Sequence, residues 1–496
     1  MRRVLMLTIL VALLGACSSS HPAAKTAPPA TTTTVTDPSG LAVAKVAAAG
    51  TQTIDGFGAS GAWWPNDLVN FPANAQNLVG TLLFSPTGLQ LSGYRYYIGA
   101  GGKGVTNPSR AEKQVADDPG VMYLKAASDA HVPLLTGFVY SAPPDLTTNG
   151  KTCGGSLKPG QETAYANFIV DAVKELHDQQ HVTLQYVSPM NEPDDSMPDC
   201  GQEGMEVPVG ERAAIVQAVG KALKSEAPYA TEIADETTAD SILAAEAPQW
   251  LSVPGTTQYL AAIAHHTYDF PNDAIRKQVP PVSAQFKRPT WMTEICCYKG
   301  SGGVATSMGA GYDPTMTQGL WLADQIYDDF NVAGDSAWYW WTALSPEIGC
   351  DVKTNPVCVT QTNSQGFNDG LLYYDANGAA DHATTFFPSK RYYVLGQFSR
   401  YVRPGAVRHD VGGVPAGVRM MAFQQDGQWT VVAWNETQNS EQVGVALPTA
   451  TQQVVHGIIT NSQDALLPAA PAPALTSSGK WLVSIPGQSV VTYVFQ

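Results

Sequence analysis

Tyr186-Val187-Ser188-Pro189-Met190-Asn191-Glu192-Pro193 and Trp291-Met292-Thr293-Glu294 are the two stretches on which the reading of this chain turns. Each is a short apolar run that finishes on a carboxylate. A carboxylate closing a hydrophobic strand is costly to bury unless it is paired or used. One alone reads equally well as half of a structural salt bridge. Two at strand ends ask for a common explanation, and the strands around them supply it.

Outward from these runs, short apolar or β-branched segments alternate with longer helical patterns. The candidate strands are Ile54–Ala59, Tyr94–Ala100, Pro133–Tyr140, Leu184–Pro189, Glu232–Asp235, Ala262–Tyr268, Thr290–Glu294 and Ser336–Trp341. Between them lie Glu162–His177 and Glu211–Ser225, with apolar residues at helical spacing. Eight strands with helical crossovers predict a (β/α)8 barrel over residues 50–403, in which Glu192 closes the fourth strand and Glu294 the seventh. A doubly wound open sheet is the alternative, but no Gly-rich phosphate turn follows an early strand.

The pattern changes after residue 404. Ser389–Val402 reads as a last helix, stopped by Pro404-Gly405. Val418–Gln424, Trp429–Trp434, Gln442–Leu447, Gln453–Ile459, Trp481–Ile485 and Ser489–Phe495 then follow as short strands, with Asp426-Gly427 as a hairpin signal. They predict an antiparallel β-sandwich over 404–496, joined by a possible strand at Leu41–Ala47.

The N-terminus addresses the chain. Arg2 and Arg3, an apolar run from Val4 to Leu14 and then Gly15-Ala16-Cys17 read as a secretory signal over 1–16, too short for a membrane span. Leu14-Gly15-Ala16-Cys17 resembles a bacterial lipobox, in which Cys17 becomes the lipidated first residue of the mature protein. Residues 17–40, rich in Ser, Thr, Pro and Ala, form a flexible stalk. The expectation is an exported protein, held at the periplasmic or outer face of a membrane by that anchor alone, or secreted. Six further cysteines remain: Cys153, Cys200, Cys296, Cys297, Cys350 and Cys358. An even number in an exported chain favours disulfides, with Cys350–Cys358 the best single pairing. Their spacing does not suit a zinc site. The net charge of −15 argues against a nucleic-acid partner. No cofactor or metal is expected, and the chain reads as a monomer.

Paired carboxylates at the open end of a barrel suit glycoside hydrolysis. One protonates the departing oxygen, and the other attacks or activates water. The fourth-and-seventh strand placement resembles the clan A retaining glycosidases. Within that clan the chain resembles glycoside hydrolase family 30, on an ordered set of stretches: Ile54-Asp55-Gly56-Phe57-Gly58-Ala59-Ser60, Arg95-Tyr96-Tyr97-Ile98-Gly99, Ser141-Ala142-Pro143-Pro144 with Thr148-Asn149-Gly150, Asn191-Glu192-Pro193 with Gln202-Glu203-Gly204, Thr293-Glu294 and Ser389–Gly405. The resemblance implies a retaining β-glycosidase with Glu192 as acid/base and Glu294 as nucleophile.

Further residues are expected to bind substrate or support the pair. Asn191 is placed to donate to a sugar 2-hydroxyl, or else caps the strand. Arg95 is placed to favour the ionised form of Glu294. His266 and Tyr268 close the sixth strand, where the clan places a Tyr against the nucleophile, while His265 faces the barrel wall. Trp64 and Trp341 are the expected sugar platforms, with Trp338 and Trp340 undecided. Gly61-Ala62-Trp63-Trp64 and Gln202-Glu203-Gly204 look most like the endo-β-1,6-galactanase branch. A β-1,6-glucanase, a glucosylceramidase or a xylanase are the alternatives, although Thr342–Cys350 offers no Lys or Arg to hold a uronate. Rivals of other kinds are a non-catalytic sugar-binding surface lipoprotein and an adhesive cell-surface protein.

Overall fold

The computed structural model describes residues 34–297, 309, 311–380 and 383–496. The signal segment 1–16, Cys17 and the stalk as far as residue 33 lie outside them. The last part of the expected stalk is not free. Thr34–Val35 pairs with Leu475-Thr476, and Asp37 accepts hydrogen bonds from the Ser477 and Ser478 hydroxyls. No helix among the described residues is long and apolar enough to cross a membrane.

Eight parallel strands close a barrel: β1 (Gly56–Gly61), β2 (Gly93–Tyr97), β3 (Leu134–Phe138), β4 (Tyr186–Ser188), β5 (Thr231–Thr237), β6 (Leu260–His266), β7 (Thr290–Glu294) and β8 (Ala337–Trp340). Each pairs with the next in chain order, and β8 returns to β1 with Ala337 opposite Gly56. Alternation fills the interior. Ala262, Ala264, Trp291, Ala337 and Tyr339 cluster on one side of their strands with Leu134 and Ile233, while Ile263 and Met292 join the large core under the helices. Tyr339 lies against Gly58 and Gly93, where an added Cβ would collide with its ring. The helix Glu162–Asp178 buries Tyr165, Ile169, Val173 and Leu176 on one stripe, as its 3.6-residue spacing requires.

Two irregularities in the ladder aim the site. Between β6 and β7, His265 pairs with Met292 but His266 with Glu294, so Thr293 is skipped. Strict alternation from the inward Trp291 would have turned Glu294 outward; the bulge brings it back to the barrel mouth. Between β5 and β6, Ala264 pairs with Asp235 and His265 with Thr237, so Glu236 is skipped likewise.

The second body is a sheet of eleven strands folded on itself, and it is mixed rather than antiparallel. Ala42–Thr53 runs antiparallel to Val407–Gly412 but parallel to Glu441–Ala446, and Thr34–Val35 is parallel to its neighbour. These N-terminal strands enter from before the barrel, so no hairpin turn dictates their direction. Val431, Val445, Trp481, Val483, Val491 and Phe495 meet in one core between its halves. The helix Lys390–Ser399 joins the two bodies: the Thr492 hydroxyl donates to Gln397 O at 2.9 Å, and Gln397 Nε2 to Thr460 Oγ1 at 2.9 Å. Across the same seam, Trp434 Nε1 donates to Asp324 Oδ1 at 2.9 Å, and Arg419 pairs with Asp328 at 2.8 Å.

Three disulfides form among the described residues: Cys350–Cys358 as expected, Cys153–Cys200, and Cys296–Cys297 between adjacent residues.

Candidate active site

At the carboxyl ends of the barrel strands, Glu192 and Glu294 each present an oxygen within 4.8 Å of the other's. Both line a cleft of ≈ 420 Å³. A larger hollow of ≈ 540 Å³ lies outside the barrel, between the helices Ala73–Phe84 and Gly120–Asp129, and contains neither of them.

Glu294 is held from two sides. Arg95 Nη1 donates to its Oε2 at 2.8 Å, and the Tyr268 hydroxyl to its Oε1 at 2.8 Å. Arg95 is fully buried; it also donates to Ser60 Oγ at 2.8 Å, to Asn191 Oδ1 at 3.1 Å and to Glu236. Its guanidinium stacks 4.0 Å above the Phe138 ring. Glu192 follows β4 at φ 49°, in the left-handed region rare for a side chain of its kind. Its amide donates to Glu236 O at 2.9 Å. His266 bridges: Nδ1 lies 3.1 Å from Glu192 Oε1 and Nε2 3.2 Å from Glu236 Oε2.

The electrostatics follow from this packing. Burial pushes Glu192 up to about 6, although the facing His266 opposes the rise. Burial would lower His266, but Glu294, Glu192 and Glu236 outweigh it and lift the imidazole to about 9. Burial would raise Glu236, but Arg95 and His266 bring it below its ordinary value. Two cations, Arg95 and protonated His266, thus face three carboxylates. The cluster balances when one carboxylate carries a proton, and Glu192, with the raised value and the place in the cleft, is the natural carrier.

Of the expected residues, Glu192, Glu294, Tyr268 and Trp341 line the cleft. Arg95, placed by the sequence to favour the ionised form of Glu294, reaches it from behind the cleft, and His266, expected among the substrate contacts, also sits behind the cleft and holds Glu192. Asn191 spends its Oδ1 on Arg95, while its buried Nδ2 has no hydrogen-bond partner. Trp64 is a correction. It begins the short helix Trp64–Leu68, packs on Tyr123 at 4.5 Å between ring centroids and is core. Trp63, at φ 68°, lines the cleft instead, edge-on to Trp341 at 4.7 Å. Its amide is fixed by Glu112 Oε1 at 2.7 Å. Trp338 and Trp340 are fully buried. His265 is clamped between Asp240 and Asp335, each at 2.9 Å, in the barrel wall. Buried Glu203 accepts from Tyr97 and from the amides of Ala100 and Gly102, and so braces the loop after β2.

Sequence reasoning missed Glu236, Ser60, the cleft-lining Tyr140 and the bond between Cys296 and Cys297. The rule that found Glu192 and Glu294, a carboxylate at a strand end, applies to Glu236 too. Glu192, His266 and Glu294 are also the one trio among the described residues with donor atoms near enough to share a metal ion. Arg95 and Tyr268 already occupy both oxygens of Glu294, so the donor set fits a carboxylate pair better than a metal centre.

Residues 43–351 match the sequence profile of O-glycosyl hydrolase family 30. Over 108 residues the chain is 35% identical to a glucuronoxylanase of Bacillus subtilis (strain 168), covering 21% of this chain and 25% of that enzyme. It thus matches about a quarter of the length of these curated relatives. The catalytic domain of a family 30 xylanase C from Talaromyces cellulolyticus superposes with a TM-score of 0.71 at 24% identity, over 92% of this chain and 100% of that one. A conserved exported protein from Bacteroides fragilis gives 0.73 at 19% identity, over 91% and 100%. An endo-β-1,6-glucanase gives 0.64 at 18%, over 91% and 93%. These structures share the fold.

Proposed function

The chain belongs to O-glycosyl hydrolase family 30, and from that premise we propose that it is a retaining β-glycoside hydrolase acting on a polysaccharide or oligosaccharide by double displacement. The observation that carries this reading is the separation of the carboxylates. Oxygens within 4.8 Å fall short of the roughly 6.5–9.5 Å that inverting enzymes keep between their carboxyls to seat a water, and they fit the roughly 5–5.5 Å spacing of retaining ones. Protonated Glu192 gives its proton to the departing glycosidic oxygen while Glu294 attacks the anomeric carbon and forms a glycosyl ester. Glu192, now ionised, takes a proton from water, which attacks the same carbon and frees Glu294. Asn191 Nδ2, left without a protein acceptor, is the donor for the sugar 2-hydroxyl.

Among the family's substrates we place β-1,6-galactan first. The likeness of Gly61–Trp64 and Gln202–Gly204 to that branch supports it, and Trp63 and Gln202 both line the cleft. A second reading, a xylan carrying uronate, is favoured by Arg110. This cleft residue stacks on Trp63 at 4.1 Å, and among the described residues no carboxylate lies within ion-pair distance of it. A panel of β-1,6-galactan, glucuronoxylan and β-1,6-glucan, with NMR of the first product anomers, tests both. Retained β products from one polymer are expected. An inverted first product sinks the double displacement, and no release from any polymer leaves the sugar-binding lipoprotein. We also propose that Cys17 carries a lipid anchor; a Cys17→Ala protein that still partitions into detergent would refute it.

A further inference from the structure

Two residues beyond Glu294, the chain places Cys296 and Cys297 in the wall of the cleft, and their sulfurs are bonded to each other. Both line the cleft and are nearly fully buried, at 1% and 2% exposure. Cys296 Sγ lies 3.9 Å from the Tyr268 hydroxyl, which itself donates to Glu294. Cys297 sits at φ 65°. The backbone around the pair is fixed at both ends: Trp341 N donates to Ile295 O at 3.1 Å, and Gly309 N to Cys297 O at 3.2 Å.

Resting on the hydrolase reading, we infer that the Cys296–Cys297 disulfide is a substrate-contact surface, packing against the apolar C–H face of the sugar held at Glu294. A bond between neighbouring cysteines closes a small ring and removes the rotational freedom of both side chains. The cleft wall gains a rigid, polarisable contact point with no hydrogen-bond demand. Glu192, Glu294, Tyr268 and the unpartnered Asn191 amide serve the sugar's oxygens; the disulfide serves its carbon face. Two free thiols in the same place would rotate independently, and the pre-organised wall would be lost.

The test begins with iodoacetamide labelling of the unfolded, unreduced protein followed by mass spectrometry. Cys296 and Cys297 should stay unlabelled, and modification of either overturns the inference. Kinetics of the wild type, of the wild type after mild reduction, and of a Cys296→Ser/Cys297→Ser enzyme then read the contact. Reduction and substitution should each raise KM roughly tenfold, the scale of one lost apolar contact, with kcat within about threefold. Reductant should have no further effect on the double variant. An unchanged KM, a fall in kcat alone, or an equal response of the double variant to reductant overturns the contact. Should the double variant fail to fold, reduced and alkylated wild type takes its place. Calorimetric binding of an oligosaccharide reads the same contact without turnover. A weak reduced form and a tight oxidised form would uphold the inference even if no glycan in the panel were cleaved.

Discussion

Among the clusters of buried carboxylates in the described residues, two look alike on charge alone. At the barrel mouth, Glu192, Glu236 and Glu294 face Arg95 and His266. At the seam with the sheet, Asp324, Asp328 and Asp329 face Arg276 and Arg419. In both, burial raises a carboxyl: Glu192 to about 6 at the mouth, Asp324 and Asp329 to about 7 at the seam, each against an opposing cation. The difference is what lies beyond the cluster. Asp324 and Asp329 end on the indoles of Trp434 and Trp338. Glu192 and Glu294 end on open volume, beside an amide nitrogen with nothing to bond. A perturbed carboxyl therefore marks burial; a facing pair of carboxylates open to a cleft marks chemistry.

The largest expected effect breaks the mouth at its nucleophile. Glu294→Ala should lower kcat on the order of 10⁵-fold, since no intermediate can form. Glu192→Ala should cost about 10²–10⁴-fold, and less on aryl glycosides whose aglycone leaves without a proton. Azide should rescue Glu192→Ala and give the β-glycosyl azide, because the ester forms and then waits for a nucleophile needing no base. Glu294→Ala should give at most the α-azide by direct attack. Product anomers by NMR decide this, and their exchange between the two variants would reverse the roles. Seam variants such as Asp324→Asn should show neither loss nor rescue.

The barrel was legible because eight short apolar or β-branched runs are spaced by helical patterns, and Thr290–Glu294 is one of those strands. Glu192 and Glu294 were legible as charges closing apolar runs. What escaped depends on the ladder or on three dimensions. Glu236 lies one residue past the expected end of its strand, at a register slip that pattern does not reveal. Trp63 and Trp64 are chemically identical neighbours. Which of them enters the cleft depends on where the helix Trp64–Leu68 begins and on Glu112 reaching the Trp63 amide. The parallel strand at Ala42–Thr53 resembles its antiparallel neighbours because direction leaves no trace in alternation. Cys296–Cys297 stood among fifteen connectivities with nothing local to single it out.

A subtler change sharpens the mouth without removing a reacting group. His266 opposes the rise of Glu192 caused by burial. In His266→Gln that cation is gone, so the Glu192 carboxyl should titrate above about 6. The proton on Glu192 is needed for the first step, so activity is full below this value and falls as pH rises through it. The alkaline limb of kcat/KM should therefore move to higher pH, with a loss of roughly tenfold at the optimum. A limb that stays in place, or moves down, would show that Glu192 does not set it.

The smallest effect belongs to the seam, and it is one of stability. Burial pushes the Asp324 carboxyl up to about 7 in the folded protein from its ordinary value of 3.8, which holds for the unfolded chain. The folded state thus holds the proton more tightly, and its stability declines as pH rises from about 4 to about 7. Asp324→Asn removes the ionisation but keeps the acceptor. Trp434 Nε1 at 2.9 Å and Arg419 Nε at 3.4 Å both address the Oδ1 position that the amide oxygen can take. Arg419 retains Asp328 at 2.8 Å and Glu436 at 3.6 Å. The variant should match the wild type near pH 4 and exceed its Tm at pH 8 by on the order of 2–5 °C. Calorimetric scans at both pH values measure this, with kcat as the control expected to stay level. A lower Tm for the variant at pH 8 would mean that the ionised Asp324–Arg419 pair stabilises the seam, and the contrast with the mouth would then rest on the open cleft alone.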